Sequence, residues 1–387
     1  MNPAKNLHSL FSGTASLSEN IDLPAEDRAT LEQARSKVRH ALRSNFSRVM
    51  ERLGDQELGK VRPKFFTQGS WSYKTLIMPL RPPQQQADLD DGIYLPLSYA
   101  EDCGTPRAAS NHYTKAVEII LTDLARRENW TVDTSNDNCT RVILQNGGVP
   151  NKHIDVPAYS MPDSQYSLLV ENQARMAKAA GVEFAEGDDD WSLYPQNAVL
   201  MAHKERGWID SDPRPLKDWV DRQARLKTEQ FRQLIRYLKA WRDNQQWSNG
   251  DPKSILLMVA VDLAMDEPVR GRDDLAMLKV TKKLPSIFAG EILNPAAKSR
   301  EDLARRLDKD GIRQELISMS RRLHMTLERA LAVQTSEKEA HELLRSEWGV
   351  RMPSYSGPSS ATVTDAVRRT PAVRVEPVPL VGVRKSG

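Results

Sequence analysis

The sequence QGSWSYKT at residues 68–75 is the stretch from which the fold of this chain can be worked out. It follows KFFT at residues 64–67, a run typical of a strand, and the strand is expected to pass into a short helix at Gly69. Ser70 is expected at the N-cap of that helix, where backbone N–H groups point outward and the dipole is positive. Because Gly69 has no Cβ, a ligand can approach the backbone closely, so the stretch predicts a phosphate site.

A second stretch, DLDDGIY at residues 88–94, has the alternating character of a strand. Because side chains alternate between the two faces of a strand, Asp88 and Asp90 share one face and Ile93 lies on the other. Asp91 is expected on that other face, with a structural role. Mg²⁺ takes hard oxygen ligands and completes its shell with substrate phosphates and water. Two carboxylates on one sheet face, opposite a phosphate site, therefore predict a magnesium centre.

A third motif, HIDVP at residues 153–157, places Asp155 between Ile154 and Val156, which are expected to face the core. An aspartate inside an apolar strand costs several kcal/mol unless its charge is paired or bound to a metal. This cost favours a functional role for each of the three aspartates over a place on the surface. His153 is expected to be an ordinary strand histidine with satisfied hydrogen bonds rather than a metal ligand.

With these three motifs, the chain resembles the cGAS/DncV-like nucleotidyltransferases (CD-NTases), and among them the bacterial cyclic GMP-AMP synthase branch. By element order the resemblance covers about residues 20–340. Animal members carry a zinc-binding insertion, and the sequence has no Cys/His cluster of that kind, which favours the bacterial type. The resemblance implies an α+β fold. A polymerase-β-like nucleotidyltransferase core, with a mixed sheet and a long spine helix, would be followed by a C-terminal helical lobe, with the active site in the cleft between them.

The resemblance also implies the roles of individual residues. Asp88, Asp90 and Asp155 would be the catalytic carboxylates and would bind two Mg²⁺ ions, for which Mn²⁺ is a possible substitute. The residues expected to bind the nucleotides are Gln68, Gly69, Ser70, Tyr73, Lys239 and Ser254. Lys239 would reach the donor triphosphate and Ser254 would bind the same phosphates, although a helix N-cap also explains a serine there. Tyr73 would stack on a base, or would be a half-buried helix aromatic.

The function that the resemblance implies is the synthesis of a cyclic oligonucleotide second messenger from ATP and GTP, with release of pyrophosphate. For this branch the expected product is 3′,3′-cyclic GMP-AMP, made in bacterial antiphage (CBASS) signalling. A template-independent polymerase or linear oligoadenylate synthetase would use the same three carboxylates. A catalytically inactive nucleotide-binding or conjugation partner is a third alternative, and the intact carboxylates argue against it.

The protein is expected to be soluble and cytoplasmic. The 55 basic and 52 acidic residues leave a net charge of +3, so a nucleic-acid activator is not supported by the charge of the whole chain. Cys103 and Cys139 are too few and too far apart for a disulfide framework or a zinc site, and free thiols are expected. No apolar run approaches the roughly 18 residues of a membrane-spanning helix, so no membrane partner is expected.

The resemblance implies that the 387 residues divide into a nucleotidyltransferase core at 1–210 and a helical lobe at 211–350, and the aperiodic residues 351–387 are expected to form a flexible tail. Residues 1–20 are expected to be frayed, and residues 161–190 to form an insertion or surface loop.

Apolar residues three and four apart predict the spine helix from residue 24 to 53. The basic residues of this helix, Arg35, Lys37, Arg39 and Arg43, are expected on a solvated face.

The last four residues, RKSG, support a separate hypothesis. In some bacterial relatives, ubiquitin-transfer-like enzymes of the same operon process or conjugate the C-terminal glycine. A mobile peptide that ends in glycine can enter an adenylating active site, where a side chain would obstruct it. Gly387 is therefore a candidate conjugation terminus, and the alternative is an unstructured end.

Overall fold

A computed structural model describes residues 4–54, 61–96, 106–145, 151–180, 191, 199–298 and 300–356. Gly387, Cys103 and the acidic run at 186–190 lie outside the described residues. The strands are β1 (Lys64–Gln68), β2 (Ala87–Pro96), β3 (Thr131–Asp133), β4 (Cys139–Leu144), β5 (Lys152–Met161), β6 (Leu200–His203) and β7 (Gly207–Asp210). The helices of the first half are α1 (His8–Phe11), α2 (Leu17–Asn20), α3 (Ala25–Arg52), α4 (Gly69–Ser72), α5 (Pro106–Glu128) and α6 (Asp163–Ala180). Those of the second half are α7 (Arg214–Lys227), α8 (Gln230–Asn244), α9 (Ser254–Ala264), α10 (Asp273–Ala289), α11 (Arg305–Lys309), α12 (Arg313–Ala330) and α13 (Glu337–Trp348), followed by a 3₁₀ turn at Gly349–Arg351.

One mixed sheet determines where the polar motifs meet. Its strand order is β1-β2-β5-β4-β3, and β6 pairs with both β5 and β7. Strands β2 and β5 run parallel, and the other pairs are antiparallel. The register sets Asp88 beside His153 and Asp90 beside Asp155. Because paired residues of neighbouring strands point to the same face, β2 and β5 bring all four side chains together.

Helix α3 is the spine helix that the periodicity predicts. Pro24 precedes its first residue, and Gly54, at φ +95°, follows its end. Its apolar side chains recur at three- and four-residue steps and pack against α5 and the sheet. The members of this buried stripe include Leu31, Ala34, Val38, Leu42, Phe46, Val49 and Met50.

The expectation of a solvated basic face on α3 is wrong for Arg39 and Arg43. Arg39 is 5% exposed, and its guanidinium pairs with Asp91 on the core face of the sheet, with Nη2 2.6 Å from Oδ1. The Arg43 guanidinium lies 4.9 Å from the centre of the Phe65 ring. Arginine stems are long enough to cross from a helix to a sheet, and a buried carboxylate needs a counter-charge there.

The N-terminal segment at residues 4–23 packs on the helical lobe, so the expectation of a frayed end at 1–20 is wrong for residues 4–20. Phe11 is fully buried in the apolar cluster of the lobe. The Tyr237 hydroxyl donates to the Phe11 carbonyl at 2.8 Å, and the Lys5 backbone N–H donates to the Leu331 carbonyl at 2.9 Å. A few apolar residues in a polar stretch are enough to dock it, although they give no periodic signal.

Among the described residues, helices α7 to α13 form the helical lobe, with α8 at its centre. Trp241 of α8 is fully buried, and its ring meets Trp247 edge to face at 6.0 Å. Trp348 of α13 donates its indole N–H to the Tyr237 carbonyl at 2.8 Å. This packing holds α8 at the centre of the lobe.

Two further predictions concern residues 161–190 and the cysteines. Residues 163–180 form α6, so the expectation of a loop is wrong for this part of 161–190, and Leu169 of α6 packs with Tyr94 and Trp191. Cys139 is buried and free. Nowhere in the described ranges does a helix have the length and apolar character needed to cross a membrane.

Candidate active site

A cavity of about 370 Å³ lies between the sheet and the helical lobe. Its lining includes seven of the predicted site residues: Gly69, Ser70, Tyr73, Asp88, Asp90, Lys239 and Ser254. Helix α4 and the residue after it supply the first three, β2 the two aspartates, and α8 and α9 the last two. Gln68 directly precedes this set, and Asp155 pairs with Asp90 from the adjoining strand. Residues that are far apart in the sequence thus meet at one cavity.

The carboxylates of β2 and β5 converge at the wall of this cavity. One possible ligand atom from each of Asp88, His153 and Asp155 lies within 4.8 Å of the other two. Asp90 points towards the backbone of α4, because a Cβ added to Gly69 would lie 1.8 Å from Asp90 Oδ2. Gly69 also has φ +68°, a conformation that side chains disfavour. Glycine is therefore required here both by the backbone conformation and by the nearby Asp90 carboxylate, in addition to the ligand approach that the sequence predicts.

Asp90 lies among like charges. Burial raises the pKa of the Asp90 carboxyl well above its ordinary value, and the charges of Asp88 and Asp155 raise it further, while Arg141 acts in the opposite direction. A bound cation is the group that relieves such repulsion, because it is shared by the oxygens that repel one another. Asp88 and Asp155, together with His153, therefore lie where they could hold a divalent metal, and Asp90 adds negative charge beside them.

Arg141 of β4 is a site residue that the sequence analysis missed. It lies opposite Asp155 in the β4–β5 pairing, and its Nε and Nη2 donate to Asp155 Oδ1 and Oδ2 at 2.7 and 2.8 Å. This bidentate pair holds the third carboxylate in one orientation. The alternation of β4 is the only signal in the sequence, and it identifies the partner of Arg141 only when the strand register is known.

Helix α4 begins two residues earlier than a Ser70 N-cap predicts. Its N-cap is Gln68, so the prediction of Ser70 as the N-cap is wrong, and Ser70 is the second residue of a four-residue helix. The positive φ of Gly69 allows the chain to turn at that residue. The Gln68 side chain is buried, and its Nε2 donates to the Tyr159 hydroxyl at 3.0 Å.

Lys239 and Tyr73 are both buried in the wall on the lobe side. Lys239 is 4% exposed, and its Nζ donates to the Thr75 carbonyl at 2.8 Å. Burial lowers the pKa of Lys239 to about 7, and the positive charge of Arg242 acts in the same direction. Tyr73 packs in the apolar cluster of the lobe, and burial raises the pKa of its hydroxyl. The ring therefore has little free surface for a base to stack on.

Ser254 is the first residue of α9, and Lys253 is the N-cap, so the prediction of Ser254 as the N-cap is wrong. The Ser254 hydroxyl oxygen accepts a hydrogen bond from Nη1 of Arg242 at 3.0 Å. Arg242 also pairs with Asp243 at 2.7 Å, and both line the cavity. Sequence reasoning missed these two residues because an amphipathic helix normally places its charged positions in solvent.

Two family models match the chain. The nucleotidyltransferase domain of cyclic GMP-AMP synthase DncV-like proteins matches residues 63–159, and the cyclic GMP-AMP synthase C-terminal domain matches residues 228–360. The cyclic GMP-AMP synthase of Vibrio cholerae is 29% identical over 347 residues, which are 86% of this chain and 77% of the relative. That of Escherichia coli strain TW11681 is 28% identical over 334 residues, 82% of this chain and 73% of the relative.

Solved structures of Vibrio cholerae DncV have the same fold. The crystal structure with the linear intermediate 5′ pppA(3′,5′)pG has a TM-score of 0.72 at 23% identity, covering 91% of this chain and 97% of that one. The GTP-bound form has a TM-score of 0.70 at 22% identity, covering 90% and 96%. The prediction of an α+β nucleotidyltransferase fold with a mixed sheet and a C-terminal helical region is confirmed. The match of both domains and the fold together place the chain in the family that its three motifs resemble, and it is a member of the DncV-like CD-NTases.

Proposed function

We propose that this protein is a cyclic dinucleotide synthase, which joins two nucleoside triphosphates in one site and releases pyrophosphate at each of two transfers. The observation that carries the proposal is that Asp88 and Asp90 line one cavity with Gly69 and Ser70, while Asp155 lies beside Asp90 on the adjoining strand and close to Asp88. The names of the relatives support it, and 3′,3′-cyclic GMP-AMP made from ATP and GTP is the product to test first. Antiphage (CBASS) signalling in the cytoplasm is part of the same proposal.

The proposal assigns Asp88, Asp90 and Asp155 as the residues that hold two Mg²⁺ ions, with Mn²⁺ as a possible substitute. When bound, such ions activate the attacking hydroxyl and neutralise the charge that develops on the leaving pyrophosphate. The chain itself sets the positions of the carboxylates. Arg141 orients Asp155, and the missing side chain at residue 69 leaves room for Asp90. Groups held in place before the substrate arrives need no reorganisation during the reaction.

The nucleotides are assigned to the residues on the two sides of the cavity. Lys239 has the clearest electrostatic reason to bind a nucleotide. A triphosphate beside its buried side chain would stabilise the ammonium form and raise the pKa of Lys239, which burial lowers. Arg242 holds the Ser254 hydroxyl at the same wall and brings a second positive charge. The full set proposed for nucleotide binding is Gln68, Gly69, Ser70, Tyr73, Lys239 and Ser254.

Incubation of the full chain with ATP, GTP and Mg²⁺, followed by phosphatase and chromatography, tests the proposal. A cyclic product resists phosphatase, whereas the linear product of a template-independent polymerase or oligoadenylate synthetase ends in a sensitive group. The double variant Asp88→Asn/Asp90→Asn should make no product. The matched control is Asp123→Asn on the exposed face of α5, which should keep full activity. Absence of product from the unaltered chain would favour a nucleotide-binding role, and full activity of the double variant would contradict the site.

Two further parts of the proposal concern regions that the cavity does not involve. We propose Gly387 as a conjugation terminus for ubiquitin-transfer-like operon enzymes, and mass spectrometry of the native protein with these partners tests it. Finding Gly387 only in the free form would contradict this role.

We also propose that the nucleotidyltransferase core, the helical lobe and the tail divide near residues 210 and 350. A fragment that starts at residue 211 would lack the N-terminal segment whose Phe11 is buried in the lobe, so limited proteolysis of the full chain is the suitable test.

A further inference from the structure

His153 does not have the satisfied hydrogen bonds expected of an ordinary strand histidine. It is 5% exposed in β5, and its Nδ1 lies 2.9 Å from Gln86 Oε1. Its Nε2 lies 3.0 Å from Asp88 Oδ1 and 3.9 Å from Asp155 Oδ1. Among the described residues, neither His153 Nε2 nor Asp88 Oδ1 has a hydrogen-bond partner, although both atoms are buried. The imidazole is therefore unpartnered on the side that faces the carboxylates.

The Gln86 contact determines the form of the ring. With Nδ1–H donated to the amide oxygen of Gln86, the neutral imidazole keeps a lone pair on Nε2. That lone pair then faces Asp88 Oδ1, which is also an acceptor, at 3.0 Å. Two buried acceptors at this distance cost free energy unless a positive group lies between them.

The distances fit a metal ion as that positive group. Two ligands at about 2.1 Å from an ion, with a right angle between them, are about 3.0 Å apart. The separation of His153 Nε2 and Asp88 Oδ1 has this value, and the short distance without hydrogen-bond geometry agrees with two ligands beside one another. Histidine ligands almost always donate their second ring N–H to an oxygen, as His153 does to Gln86.

The need for a further ligand follows from the state of Asp155. Both of its oxygens already accept a hydrogen bond from Arg141, so its capacity to donate electrons to a metal is partly used. An imidazole on the same face makes up part of the ligand set without adding another negative charge to the cluster.

We propose that His153 Nε2 is a direct ligand of one divalent ion, together with Asp88, and that the protein consequently binds Mn²⁺ more tightly than Mg²⁺. Imidazole nitrogen suits transition-metal ions, whereas Mg²⁺ strongly prefers oxygen. Gln86 is a positioning residue, because it fixes the tautomer and the plane of the ring. The inference rests on the metal site of the proposed function and adds a ligand and a metal preference to it.

Pulsed EPR of Mn²⁺ bound to the full chain with a non-hydrolysable ATP analogue tests the inference. The chain has seven histidines, so protein labelled with ¹⁵N-histidine is compared with unlabelled protein. The expected result is a nitrogen coupling that changes from ¹⁴N to ¹⁵N on labelling and disappears in His153→Asn. His112→Asn, at an exposed position of α5, is the control and should keep the coupling. His153→Asn should also lower Mn²⁺ affinity about tenfold while changing Mg²⁺ affinity much less.

The outcomes separate this inference from the function on which it rests. Mn²⁺ that binds without histidine coupling would overturn the ligand role of His153 and leave the synthase proposal in place. Failure of Mn²⁺ to bind even with the ATP analogue would overturn both. If His153→Asn does not fold, the labelled wild-type protein alone still shows whether a histidine coordinates the Mn²⁺ ion.

Discussion

Asp90 and Asp91 are neighbours in β2, yet their surroundings are opposite. Asp91 is 1% exposed, and Arg39 donates to both of its oxygens at 2.6 Å while the Thr67 hydroxyl donates at 2.9 Å. Asp90, on the other face, lies near Asp88 and Asp155, and burial together with this like charge raises its pKa. One strand thus carries a fully matched ion pair towards the core and an acidic cluster towards the cavity.

The buried pair of Arg39 and Asp91 maintains the fold, whereas the carboxylates on the cavity face are available to bind a cation. Removing one partner of a matched buried pair leaves the other charge without compensation and costs about 3–5 kcal/mol. Removing one member of an acidic cluster relieves repulsion instead, so stability is kept and the ability to hold a cation is lost. Substitutions on the two faces should therefore affect different measurements.

The largest expected effect is that of Asp90→Asn on activity. A metal-bound carboxylate contributes several kcal/mol to transition-state stabilisation, so cyclic product formation should fall roughly 10³-fold. The midpoint of urea unfolding in metal-free buffer should stay the same or rise, because the substitution removes a repelling charge. Product chromatography and equilibrium unfolding measure the two quantities on the same preparation.

Asp91→Asn is the matched control, one residue away on the core face. It should lower the free energy of unfolding by about 3–5 kcal/mol, because Arg39 is left buried without its charge partner. The fraction that remains folded should keep its activity per molecule. A result in which Asp90→Asn unfolds the protein while Asp91→Asn is stable and inactive would reverse the assignment of the two faces.

Gly69→Ala should have the next largest effect. The added Cβ would meet Asp90 Oδ2 at 1.8 Å, so the carboxylate must move, and activity should fall about 100-fold. Gly271→Ala provides the control, because Gly271 has a similar φ of +64° but no heavy atom of the described residues lies within 4 Å of the position that a Cβ would take. Both variants should show the backbone strain of about 1–2 kcal/mol in unfolding measurements, and only Gly69→Ala should lose activity. Equal activity of the two variants would show that Asp90 does not depend on the space at Gly69.

Some of the residues in these predictions could be assigned from the sequence alone, and others could not. The sheet face of Asp88 and Asp90 follows from the alternation of a strand, and α3 follows from apolar spacing, so these features can be predicted from the sequence. Arg141 and His153 cannot be assigned in this way, since their partners are set by the register of β4 and β2 on β5. The predicted N-caps of α4 and α9 are displaced by one or two residues, because cap residues depend on the φ of a single glycine or on a weak local preference.

Arg141→Gln should have a smaller effect, on metal binding. The arginine is the positive charge paired with Asp155, so it competes with a cation for the same oxygens. Its loss should raise the affinity of the nucleotide-free protein for Mn²⁺ about tenfold in calorimetric titration, the equivalent of about 1.4 kcal/mol. Arg126→Gln, on the exposed face of α5, should leave the affinity unchanged. Equal affinities in the two variants would mean that the Arg141 pair does not limit access of the ion to Asp155.

The smallest effect, a change in melting temperature, is expected when Lys239, whose positive charge is buried, is substituted. Burial lowers the pKa of Lys239 from 10.5 to about 7, so between these values the unfolded chain binds more protons than the folded protein. Stability of the nucleotide-free protein should therefore rise with pH through this window, and the full cost of the buried ammonium is present below it. Lys239→Met removes the cost, so its melting temperature should exceed that of the wild type by several degrees near about pH 6, and the difference should shrink towards about pH 10.

The ATP analogue sharpens this prediction, because phosphate charge is what the buried lysine is proposed to meet. Added near about pH 6, the analogue should raise the melting temperature of the wild type more than that of Lys239→Met, and so reduce the difference between them. Lys279→Met, on α10 away from the cavity, should follow the wild type at every pH. A difference between wild type and Lys239→Met that stays constant with pH would show that the lysine keeps its ordinary pKa. In that case its hydrogen bond to the Thr75 carbonyl, rather than its charge, would be its contribution to the cavity wall.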